Sequence, residues 1–185
     1  MPSQTLRIHE AFKQGSLAAL RDAVDDPSVV PNGIMPLAIG SCLTYAVYHS
    51  PLSFIHELLE LGADPNPPVH DGFPPLIAAL SCSRDVHGSP RRHDVPEIIA
   101  LLLSFGADPN QRGINDYTAL HMAVAEAQGP FVRILLEGGA DRELRTRIDD
   151  YETPLEMAEA AGLTSIASII RAQPATGPST TKERL

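Results

Sequence analysis

At 185 residues, with 43% hydrophobic and 20% charged positions, the chain has the composition of one folded domain or one short repeat array rather than of a disordered or fibrous protein. A formal charge of −9, from 14 Lys and Arg against 23 Asp and Glu, disfavours a nucleic-acid binder, because phosphate contact needs a basic face. It favours a neutral or basic protein partner instead.

The opening segment, 1–10, carries charged and polar residues where an export signal needs an apolar core, and nowhere do about 18 apolar residues run together, so neither export nor a membrane span is expected. Both cysteines, Cys42 and Cys82, fall in apolar segments that read as helical. That is the setting of reduced, buried thiols, and the expected location is cytoplasm or nucleus.

In chain order, residues 5–26 read as a helix pair broken at Gly15 and halted at Pro27. Residues 33–40 are more apolar than an ordinary surface loop. The segments 54–61, 95–105 and 131–137 carry Leu and Ile at helical spacing and stop at Gly62, Gly106 and Gly138 or Gly139, which suit the left-handed residue that ends a helix. The turns before the intervening helices have the chemistry for it at Asp71-Gly72 and Asn115-Asp116. Residues 154–171 form a last pair, broken at Gly162, and 173–185, rich in Pro, Thr and Ser, read as a disordered tail.

Two markers recur in phase. Gly-Ala-Asp-Pro-Asn stands at 62–66 and 106–110, with Gly139, Ala140 and Asp141 repeating its start and 28–32 keeping the final Pro-Asn; these copies lie 34, 44 and 33 residues apart. The second marker is Ser41-Cys42-Leu43-Thr44, Pro74-Pro75-Leu76-Ile77, Thr118-Ala119-Leu120-His121 and Thr153-Pro154-Leu155-Glu156, each followed two residues on by an alanine. Thr118 and Thr153 sit where a hydroxyl caps a helix, and Pro75 and Pro154 sit in the first turn, where a missing N–H costs nothing.

This pattern resembles the T-P-L-H-x-A signature of ankyrin repeats. The resemblance covers residues 4–172 and implies an all-α solenoid of about five helix-turn-helix units with short finger loops: 4–32, 33–66, 67–110, 111–143 and 144–172. Together they make an ankyrin-repeat domain over 1–172, with the terminal units as caps. The long interval places an inserted loop, 83–93, between the helices of the third unit.

The family's usual binding face is the concave surface formed by the fingers and the exposed side of the first helices. Carried onto this sequence by repeat position, that face holds Tyr45, Tyr48, His49, Phe73, Tyr117, Met122, Glu126, Glu152 and Met157, with the acidic fingers adding Asp149 and Asp150. Aromatic and Met side chains are typical of interface centres, and an acidic rim attracts a basic segment. The competing reading is that some of the rings simply pack between units and that the acids are an ordinary solvated surface.

The expected function is therefore a monomeric adaptor or dedicated chaperone that holds a protein segment, with no cofactor, metal, nucleic acid or membrane. Cys82, His87 and His93 are spaced like metal ligands but lack a fourth. His121 occupies the family's usual His position, bonded to backbone between units. The alternative is an enzyme or small-molecule binder that uses the same groove as a pocket under loop 83–93, with Tyr45, His49, Cys82, Tyr117 and Glu126 as its titratable groups. The motifs of common catalytic centres are not found.

Overall fold

The computed structural model of the chain describes residues 3–33, 40–68, 73–84, 91–148 and 151–173. Among the described residues ten α-helices follow one another in five pairs: α1 Gln4–Gln14 with α2 Leu17–Ala23, α3 Cys42–His49 with α4 Leu52–Glu60, α5 Pro75–Ser81 with α6 Val95–Ser104, α7 Ala119–Ala125 with α8 Gly129–Glu137, and α9 Pro154–Ala160 with α10 Thr164–Ala172. Among the described residues there is no strand, and no helix is long and apolar enough to cross a membrane.

Five of the helices, α1, α2, α3, α7 and α9, start where the sequence supplies an acceptor for the unpaired N–H groups of the first turn. Ser3, Ser16 and Ser41 accept from Leu6, Ala19 and Thr44, and the pairs Thr118 with His121 and Thr153 with Glu156 form reciprocal capping boxes. The third pair has no such cap on either helix and begins instead on prolines, Pro75 in α5 and Pro96 in α6.

The second helices of the three middle units end alike. Gly62, Gly106 and Gly139 take φ of 86°, 85° and 91°, and the following alanines return an N–H to the carbonyls of Leu58, Leu102 and Leu135 at 2.9, 3.0 and 2.9 Å. Only glycine adopts that φ without strain, and the alanine after it, buried in each case, fits beneath the helix end. The Gly-Ala step of the repeat is thus a helix terminator.

Stacking follows two rows. First helices touch in series, α1 to α3 to α5 to α7 to α9, while α4, α6, α8 and α10 run alongside in a second row. The core lies between them, with Phe12, Phe54, Leu58, Ile77, Ile98, Ile99, Leu120, Val132 and Leu135 all but inaccessible to solvent. Each such side chain contributes about 1.5–3 kcal/mol relative to an exposed one.

Asparagines clamp one unit to the next. Asn66 donates from Nδ2 to the Gly106 carbonyl at 2.8 Å and accepts from the Asp108 N–H at 2.6 Å. Asn32 does the same to Gly62 and Asp64 at 2.8 and 2.7 Å, and Asn110 to Gly139 and Asp141 at 3.5 and 2.8 Å. The Asp of each string folds its own turn by accepting from the residue two positions on, as Asp64 does from Asn66.

Of the segments singled out in the sequence, 34–39, Asp71 with Gly72, 85–90 with His87, Asp149 with Asp150, and 174–185 lie outside the described residues. The two ends of the inserted loop are described and are anchored. Arg92 turns back to α3, donating to the carbonyls of Val47 and Ser50 at 3.1 and 2.6 Å while pairing with Asp94. Arg84 reaches forward to Glu126 at the end of α7.

Candidate functional site

The row of first helices and the finger bases beside it carry the residues expected to bind. In the fourth unit the finger is a tight hairpin. Asn115 and Asp116 both take left-handed φ, 54° and 59°, the Tyr117 N–H closes the turn on Ile114 at 3.1 Å, and Gly113 donates to Tyr117 at 2.8 Å. Asn and Asp tolerate that conformation better than other side chains, which is why the turn falls there.

Arginines lock the fingers to one another. Asp116, nearly buried, accepts from Arg112 at 2.6 Å and from Arg147 at 2.6 Å, and the Arg147 hydrogen bonds in particular hold its carboxyl below the usual carboxylate range. Arg145 forms a two-pronged pair with Glu156 at 2.7 and 2.8 Å, which brings that carboxyl down to about 2. Arg142 pairs with Glu143 and Arg171 with Glu159. Arginine thus already matches several carboxylates of the last two units, Asp116, Glu143, Glu156 and Glu159.

The ring residues occupy two settings. Tyr45 is covered, at 7% exposure, because α1 lies across it: its hydroxyl is 2.8 Å from Nδ1 of His9 and its ring is 4.8 Å from Phe12. Met122, at 9%, is covered in the same way by the flanking helices. Tyr48, Phe73, Tyr117 and Met157 are half-buried, packed against the edge of the core with part of each surface facing out. Glu152 is half-buried as well, and its carbonyl accepts from Thr146.

His49 stands beside both Tyr45 and His9, with ring centroids 4.5 and 5.2 Å away. Burial, together with the nearby His9 and Arg92, keeps it below its ordinary value. His121 is fully buried between units, with Nδ1 2.8 Å from the Thr118 hydroxyl, Nε2 3.3 Å from the Glu152 carbonyl, and Tyr117 stacked on its ring.

The five titratable groups named for a catalytic pocket are each engaged by neighbouring groups. Tyr45 and His49 sit together where the first two units meet, Tyr117 stacks on His121, Cys82 faces the Val47 carbonyl at 3.8 Å, and Glu126 pairs with Arg84. Burial pushes the Cys82 thiol to about 11 and that of Cys42 to about 12, so neither is a ready nucleophile. Among the described residues no group of three His, Cys, Asp or Glu side chains is arranged to hold a metal ion.

Sequence reasoning passed over His9, Arg92 and the clamping asparagines. The asparagines had a signal, the recurrence of Asn at 32, 66 and 110. His9 and Arg92 had none, since their roles come from contacts across units.

Five stacked helical hairpins, with Gly-Ala terminators and asparagine clamps in phase, define a linear helical repeat array. The family profile described as Ankyrin repeat matches residues 115–147, and the chain is an ankyrin-repeat protein. Ankyrin repeats are generally protein–protein interaction modules.

Two relatives match over most of the chain and a third over less than half. E3 ubiquitin-protein ligase KEG of Arabidopsis thaliana is 28% identical over 153 residues, 83% of this chain and 9% of that protein. Glycerophosphocholine phosphodiesterase gde1 of Schizosaccharomyces pombe is 30% identical over 128 residues, 69% of this chain and 10% of that protein. Nuclear factor NF-kappa-B p105 subunit of Gallus gallus is 38% identical over 76 residues, 40% of this chain and 8% of that protein. The chain thus spans a tenth or less of the length of these relatives.

Proposed function

We propose that the chain is an adaptor or dedicated chaperone that holds a protein segment, basic in character, along the first-helix row and the finger bases. The observation that carries this reading is a set of half-buried, outward-edged side chains along four successive units: Phe73 and Tyr117 at the same place, directly before α5 and α7, with Tyr48 on α3 and Met157 on α9. Rings and thioethers already anchored on one side offer contact area at little further entropic cost. The net charge of −9 supports a basic guest.

Panning a random-peptide library over the wild-type chain and a Phe73→Ala/Tyr117→Ala variant tests it. The wild type is expected to enrich sequences with Lys or Arg beside an apolar residue, with affinity falling as salt rises, and the double variant to lose them at nearly unchanged thermal stability. Equal enrichment by both chains, or enrichment of acidic sequences, refutes the reading.

A further inference from the structure

Glu126 is in an unfavourable place for a charge. It caps the C-terminal end of α7, where the helix dipole is negative, and its side chain is only 8% exposed. Burial raises its carboxyl above the ordinary value, and Arg84 and the Ser83 hydroxyl draw it only partly back. The residues that cap the other first helices of the array at the same point, Ser50, Cys82 and Ala161, are uncharged, so the repeat architecture does not demand an acid there.

The cation that meets it is loosely held. Arg84 Nη2 lies 2.7 Å from Glu126 Oε1, yet the arginine side chain is 61% exposed. Arg92, at the other end of the same loop, is 13% exposed and spreads its guanidinium over two carbonyls and a carboxylate. A buried carboxylate holds a cation firmly, whereas an exposed arginine on a loop gives up little when it is exchanged for another cation.

We propose that Glu126 is a seat for the cationic end of an arginine or lysine side chain of the bound segment, and that Arg84 fills it in the free protein. The inference deepens the reading of this face as a receptor for a basic segment and rests on it. A guest side chain entering the seat displaces Arg84 into water and takes over its ion pair with Oε1.

The test uses single-residue probes rather than a partner. N-acetyl-arginine methylamide, its lysine counterpart and the neutral citrulline analogue are titrated into the 15N-labelled full chain, as wild type, Arg84→Ala, Glu126→Gln and the double variant. In Arg84→Ala the arginine and lysine probes are expected to shift the amide signals around Glu126 and Ser83 saturably, roughly tenfold more tightly than in wild type, as one modest ion pair allows. Citrulline is expected to do nothing, and both Glu126→Gln chains to lose the effect. Equal binding by wild type and Arg84→Ala, or binding that survives Glu126→Gln, overturns the seat. If library peptides bind the wild type while the probes ignore Glu126, the seat fails and the face stands; if the probes bind and no peptide does, the reverse holds.

Discussion

The asparagine clamps convert a sequence repeat into a measurable ordering of stabilities. Asn66→Ala deletes two hydrogen bonds of 2.8 and 2.6 Å between the second and third units. Each is worth about 1 kcal/mol net, and because the site borders solvent, water recovers part of the loss, so the cost is about 1–2 kcal/mol. For a chain of this size that lowers Tm by about 2–8 °C. Asn32→Ala, with bonds of 2.8 and 2.7 Å, is expected to cost as much, but Asn110→Ala less, near 1 kcal/mol, because its contact with the Gly139 carbonyl is 3.5 Å. Urea unfolding of the three variants, followed by far-ultraviolet circular dichroism, supplies the comparison. An Asn110→Ala variant as damaged as Asn66→Ala, or an Asn66→Ala cost below about 0.5 kcal/mol, refutes the clamp as a source of inter-unit stability.

Arg92→Ala removes two charge-assisted bonds to the end of α3 and leaves Asp94 without its partner, so a loss of about 2–4 kcal/mol is expected in the same unfolding assay; Arg92→Lys should recover only part, since an ammonium lacks the planar fork. Acid should weaken the fold in two windows. His49 and His121 have folded values below the ordinary 6.5, so each stabilises fully above 6.5 and loses that contribution as pH falls through its folded value, while Glu156, at about 2 when folded, loses its contribution between about 4.5 and about 2. Urea midpoints should fall from about pH 7.5 to about pH 5.5, and fall less in His49→Gln; an unchanged slope in that variant refutes the assignment.

The architecture was legible because two markers recur in phase along the chain. Glycines at 62, 106 and 139 and hydroxyl caps at 41, 118 and 153 act within a few residues of themselves, so local rules apply and the helices fall where the sequence places them. The binding face was legible only in part, because repeat position says which row a residue joins but not what the neighbouring helix covers. Tyr45 and Tyr48 lie three residues apart on α3, yet α1 lies over the first and leaves the second half-open. Ion pairs were the least legible: Asp116 and Arg147 are 31 residues apart in sequence, and only the stacking of fingers brings them to 2.6 Å.

The inserted loop has an energetic logic that the repeat alone does not suggest. An array held by nearest-neighbour contacts is weakest where one unit lacks a local device the others have. The third pair of helices is that unit, with no side-chain cap on α5 or α6 and small residues, Ala78 and Ala79, at the centre of its first helix. Both anchored ends of the insertion act on that unit's two interfaces, Arg92 on α3 behind it and Arg84 on α7 ahead. They are unequal: the shielded, multiply bonded Arg92 holds the structure, while Arg84, itself largely exposed, offers the buried Glu126 carboxylate a single contact. The forward contact can therefore be exchanged for a guest's cation without loosening the array, because the backward contact carries the stabilising part of the loop's work.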